Sequence, residues 1–140
     1  QPMLVFGSSI GEGNYTRPVG EVVRCEAQIT TQANVTALAS DDKILNLEAL
    51  SSGKIPKGCA AVGMTVAVTN SAVASSHGIM WGPDSTNSDN LKTVPTVANM
   101  YQYSEGIVLC DSNGDIYQTV TEADDTLTGM YQSVWTVHLR

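Results

Sequence analysis

Hydrophobic and polar residues alternate along much of this chain. Between Glu21 and Thr30, Val23, Cys25, Ala27 and Ile29 fall on one side, with Arg24, Glu26, Gln28 and Thr30 on the other. A period of two is strand geometry and predicts one buried and one wet face. Val62, Met64, Val66 and Val68 repeat the pattern, opposed by Gly63, Thr65, Ala67 and Thr69. Small residues on that second face predict close contact with another layer. The stretch Ser133–Arg140 places Trp135, Val137 and Leu139 on one side and Val134, Thr136 and His138 on the other. A strand carrying Trp and Leu is expected to be docked.

Turn chemistry punctuates these runs. Asp111-Ser112-Asn113-Gly114-Asp115 separates the apolar Ile107–Cys110 from the alternating Ile116–Thr121. Asn-Gly between β-formers predicts a hairpin with a type I′ turn, which needs positive φ twice. In Asp41–Leu50, Ile44, Leu45, Leu47 and Leu50 fit a loose helical stripe with Gly53 as its stop, and Ile44–Leu47 fits a short strand as well; the strand is preferred. Gly82–Thr96 is polar and turn-rich, and reads as a long surface loop.

About seven to nine short strands with frequent turns make an all-β chain: an antiparallel β-sandwich or jelly roll with little or no helix. Jelly-roll and immunoglobulin-like topologies share this pattern, and both stay open. Residues 1–20, with four glycines and two prolines, read as an extended N-terminal arm; residues 21–140 read as a single β-sandwich domain.

Composition narrows the function. A length of 140 residues suits one domain with its own core. Hydrophobic residues make up 42% and charged residues only 15%, which speaks against disorder and suits a surface covered by partners. The net charge is −7, and the few Lys and Arg lie scattered between Arg17 and Arg140. Without a basic stripe, neither nucleic acid nor an anionic membrane surface is an expected partner. No apolar run approaches the roughly 20 residues that span a bilayer, and no signal-peptide pattern is visible. Cys25, Cys59 and Cys110 are too widely spaced for a disulfide framework or a zinc ligand set. Three buried reduced thiols is the plainer reading; one bridge plus a free thiol is the other.

The candidate chemistry is sparse. Gly7-Ser8-Ser9-Ile10-Gly11 matches G-x-S-x-G, but Glu12–Pro18 does not continue as a helix, and His77 and His138 are the only histidines. A flexible lead-in is the expectation, and no catalytic residue is assigned. Asp111, Asn113, Asp115 and Glu122 follow a calcium-loop spacing, but Ile116 occupies the position where the sharp turn needs glycine. An acidic hairpin tip is expected instead. Glu122, Asp124 and Asp125 read as a solvated turn. Sequons at Asn14 and Asn34 carry little weight in a chain rich in Asn, Ser and Thr. His77 stands alone in a Ser-rich turn. No metal and no cofactor is expected. The partner-contact candidates are Trp81, as an aromatic platform, with Asp84 and Asn87 in the loop behind it.

Three segments together resemble small β-sandwich modules of bacteriophage virion proteins: Ile55-Pro56-Lys57-Gly58-Cys59-Ala60-Ala61-Val62 leading into Met64–Val68, then Val108–Tyr117, then Val134–Leu139. The resemblance spans about Gly53 to Arg140. It departs at the end, where Trp135-Thr136-Val137-His138-Leu139 stands in place of a terminal Gly-Tyr. It implies a non-enzymatic capsid decoration (cement) protein or fibre-associated module, a homotrimer on the virion surface whose partner is the major capsid protein. The alternative is a receptor- or carbohydrate-binding module, on a fibre tip or extracellular.

Overall fold

The computed structural model describes residues 21–38, 42–74, 77–121 and 125–140. The N-terminal arm, the Ser9 motif, Asn14, Glu122 and Asp124 lie outside the described residues.

Among the described residues, eight strands form two four-stranded sheets. They are β1 (Val22–Gln32), β2 (Lys43–Leu45), β3 (Ala61–Asn70), β4 (Ile79–Gly82), β5 (Leu91–Thr93), β6 (Gln102–Leu109), β7 (Ile116–Val120) and β8 (Leu127–His138). The larger sheet has the order β1-β8-β3-β6, the smaller β2-β7-β4-β5, and every pairing is antiparallel. First pairs with last, second with seventh, third with sixth and fourth with fifth. The chain is therefore one long hairpin wrapped into two layers, the jelly-roll arrangement, which decides between the two topologies left open by the sequence.

The core lies between the layers. Val62, Met64, Val66 and Val68 of β3 point inward, as their spacing predicts, beside Met130 and Val134 of β8 and Val108 of β6. The smaller sheet answers with Leu45, Ile79, Trp81, Leu91 and Ile116. Gln118 and Gln132 are also fully buried here. Gln118 Oε1 accepts from Trp81 Nε1 and from Gln32 Nε2, and Gln132 Oε1 accepts from Thr31 Oγ1. The end of β1 is thereby tied to both sheets, because buried side-chain oxygens must find donors.

Both readings of the 41–50 region are partly realised among its described residues. Lys43–Leu45 is a strand, and Leu47–Leu50 is one helical turn, α1, capped by Asn46 Oδ1 accepting from Ala49 N–H at 3.0 Å. Leu47 plugs the core, and a single turn is the length that needs.

Three expectations are corrected. The Asp111–Asp115 turn is not a hairpin: it carries the chain from β6, in the larger sheet, to β7, in the smaller. Gly114 has φ +81°, but Asn113 is not in the left-handed region, so the turn is not type I′. The Asp111 carboxylate shapes it instead, accepting from the N–H groups of Asn113 (2.8 Å) and Asp115 (3.0 Å). Gly82–Thr96 is not one loop, since Leu91 and Thr93 are buried and alternate about exposed Lys92 as edge strand β5. The first strand is wetter than its pattern implies. Val23 and Ala27 are exposed and Cys25 and Ile29 half-buried, because β1 is an edge strand whose register with β8 breaks between Arg24 and Ile29.

Candidate functional site

The aromatic platform assigned to Trp81 does not exist. Its side chain is fully buried in the smaller sheet, with Nε1–H held by Gln118 at 2.9 Å. Asp84 and Asn87 do lie at the surface, but they serve their own turn. The Asp84 carboxylate accepts from the backbone and hydroxyl of Thr86 and from the backbone and amide of Asn87. Those hydrogen bonds, Thr86's first, hold its carboxyl below the ordinary value. A tight fold at this place follows from Gly82, where any Cβ would run into the Asn87 carbonyl.

An exposed apolar surface lies on the other layer, on the outer face of the larger sheet. Strand β3 presents Ala61, Gly63, Thr65 and Ala67 outward as a flat floor. Antiparallel register sets bulkier neighbours beside each: Leu109 by Ala61, Ile107 by Gly63, Glu105 by Thr65, and Tyr103 by Ala67. From the other flank, Tyr131 stands by Ala67 and Ser133 by Thr65. Tyr103 is 71% exposed, Ile107 52% and Leu109 50%. A bulge in β8 inserts Trp135 between the paired Val134 and Thr136. Its ring lies over Gly63, where a Cβ would be 3.4 Å from the indole. The small residues of β3 are thus covered by flanking side chains of their own sheet rather than by the second layer that the pattern suggested.

At one end of this face three tyrosines form a slot. Tyr101 sits between Tyr103 and Tyr131, with ring centroids at 6.1 and 6.0 Å and interplanar angles of 43° and 52°. Tyr103 and Tyr131 flank the same residue from opposite strands, so their Cβ atoms stand about two strand spacings apart, roughly 9.6 Å. Ala67 is the floor, and Gln28, Thr65 and Ser133 line the polar end of the cavity, about 330 Å³. Gln28 Nε2 donates to Thr65 Oγ1 at 3.5 Å. Desolvation raises the Tyr101 hydroxyl above its ordinary value, and interaction with Tyr131, including a hydrogen bond, adds to this. Aromatic side chains beside a few polar ones are a common lining for small-ligand sites.

A second, apolar hollow of about 500 Å³ opens where β1 leaves β8, lined by Val23, Cys25, Ile29, Pro56, Val137 and Leu139 among others. Among the described residues, no three His, Cys, Asp or Glu side chains are placed to hold a metal ion. Of the calcium-like spacing, Asp111 is engaged with its own turn, while burial, and next the Asp111 charge, raise the Asp115 carboxyl above its ordinary value. Also among the described residues, no helix is long and apolar enough to cross a membrane.

Sequence reasoning missed the outer face because its residues look like ordinary strand alternation. Tyr103 and Tyr131 come from β6 and β8, with Tyr101 just before β6, and the placement of β3 between those strands brings them together. The available signal was tyrosine at the alternate positions 101 and 103, where β6 begins. No family model matches the chain, and no curated protein matches it in sequence.

Proposed function

We propose that this chain is a non-enzymatic assembly module that docks through the outer face of its larger sheet, first of all onto copies of itself. One observation carries the reading: Tyr101, Tyr103, Ile107, Leu109 and Tyr131 are exposed on one face, with Glu105 the sole ionised side chain on the outward row of β6. Interface centres have this composition, rich in aromatic side chains and poor in charge. Large exposed apolar patches on small proteins mark docking surfaces. In its finer form the proposal follows the sequence resemblance: a homotrimeric decoration protein on a virion surface, with the major capsid protein as its larger partner. Jelly rolls occur in viral capsid and lectin domains alike, so the fold is compatible with this role without deciding it.

The tyrosine slot favours a second reading, a receptor- or carbohydrate-binding module. Its rings suit the faces of a neutral pyranose, and Gln28, Thr65 and Ser133 suit its hydroxyls.

Substitution separates the two. Tyr103→Asp with Ile107→Asp places charge on exposed positions and should leave the fold intact while abolishing self-association. Multimers that persist in this double variant would refute docking through the face. Binding of neutral glycans by wild type, lost in Tyr103→Ala without any multimer in either protein, would transfer the assignment to the second reading.

A further inference from the structure

We propose that Cys59 and Cys110 are a disulfide site, closed by exchange with a disulfide oxidant such as oxidised glutathione. Fifty-one positions apart in sequence, the two thiols lie with Sγ atoms 3.8 Å from one another. Strand register explains the meeting. Ala61 pairs with Leu109 at the end of the β3–β6 ladder, and Cys59 and Cys110 lie just beyond that pair. Both side chains are buried at this end of the core.

The backbone around them is already fastened. Cys110 N–H donates to the Ala60 carbonyl at 2.9 Å, Ala60 N–H to that of His138 at 2.7 Å, and Gly58 N–H to that of Asn113 at 2.9 Å. The Arg140 guanidinium joins the carbonyls of Gly58, Cys59 and Asp111. With both residues held, bond formation requires the sulfurs to close from 3.8 Å to the roughly 2.0 Å of a disulfide. The third thiol, Cys25, lies on β1 and lines the hollow beside β8.

The two thiols share one hydrogen bond in which either can be the donor, and burial disfavours the thiolate of each. Exchange can start from either sulfur; from Cys59 it runs in two steps. The Cys59 thiolate attacks one sulfur of the oxidant's disulfide and releases the first oxidant thiol. Cys110, deprotonated in turn, attacks Cys59 Sγ and releases the second. Two protons leave the protein thiols, two electrons pass to the oxidant, and one S–S bond forms as one breaks. The Asp111–Asp115 turn and Arg140 cover the pair, so exchange proceeds through local opening of this end.

Such a pair stays reduced in a glutathione-reduced cytosol and closes in an oxidising setting. On the virion-surface reading, the staple would set after particles leave the cell. That consequence rests on the proposed function; the bond does not.

The experiment uses the full chain, purified in reductant and then exchanged into oxidised glutathione. Remaining thiols are alkylated with a maleimide in denaturant and the peptides mapped by mass spectrometry. The expected result is label on Cys25 alone, with the Cys59 and Cys110 peptides joined and lighter by two hydrogens. Cys25→Ser should give the same linkage and no label. Three labelled thiols after treatment, or separate glutathione adducts on Cys59 and Cys110 with no linkage, would overturn the proposal. Neither outcome bears on docking through the tyrosine face.

Discussion

Replacing Trp81 by alanine separates a buried side chain from a binding platform. Trp81 has no exposed surface, and its indole fills the middle of the smaller sheet's inner face. Truncation of a buried Trp to Ala costs about 3–5 kcal/mol, from lost transfer energy and the cavity left behind. Loss of the Nε1–H bond does not add a full unsatisfied acceptor, because Gln118 Oε1 keeps Gln32 Nε2 at 3.0 Å. A domain of this size has about 5–15 kcal/mol in all, so the variant should be severely weakened. With a urea slope of about 1–3 kcal/mol/M, the midpoint should fall by on the order of 2 M. The assay is urea unfolding followed by far-ultraviolet circular dichroism on wild type, Trp81→Ala and Trp81→Phe. Phenylalanine keeps most of the volume and should lose only about 1–2 kcal/mol. A change within about 0.5 kcal/mol for Trp81→Ala is the behaviour of a surface residue and would refute the placement.

Other substitutions probe the turn and the face. Gly114→Ala should cost about 1–3 kcal/mol, by the same unfolding assay, because φ is +81° and the new Cβ would lie 2.5 Å from Gly58 N. Asp111→Ala should lose about 1–2 kcal/mol, since the N–H groups of Asn113 and Asp115 lose their acceptor. Asp115 titrates above its unfolded value, so the folded state binds more protons and this group's contribution falls as pH rises from the unfolded pKa through the folded one. Asp115→Asn should therefore gain on wild type as the pH is raised across that window; a difference in midpoint that is flat with pH would contradict the raised carboxyl. Tyr103→Ala should change stability by no more than about 0.5 kcal/mol, given its exposure, while weakening self-association measured by sedimentation.

The sequence carried the strands better than their partners. Val62, Met64, Val66 and Val68 point inward as their spacing requires, because a period of two leaves a strand with one buried face no other choice. The turn at Asp111–Asp115 was legible from its residues, but its destination was not. A local Asn-Gly signal cannot tell a hairpin from a corner between two sheets when the strands find other partners at long range. The spacing predicts Trp135 on the same side as Val137. The β8 bulge breaks that alternation and turns Val134 and Val137 to the same side, with the indole on the outer face. The local pattern misplaces Trp81 because its strand has only four residues and the polar run begins right after it. Its buried partner, Gln118, lies 37 residues away, beyond any local signal. The tyrosine slot failed to appear for the same reason: it is a product of strand order.

The native mass of the wild-type chain, by light scattering at two concentrations, tests docking through the tyrosine face onto copies of the chain most directly. A species near three times the 14.8 kDa subunit, stable on dilution, is the predicted result. A strict monomer at both concentrations would contradict self-assembly.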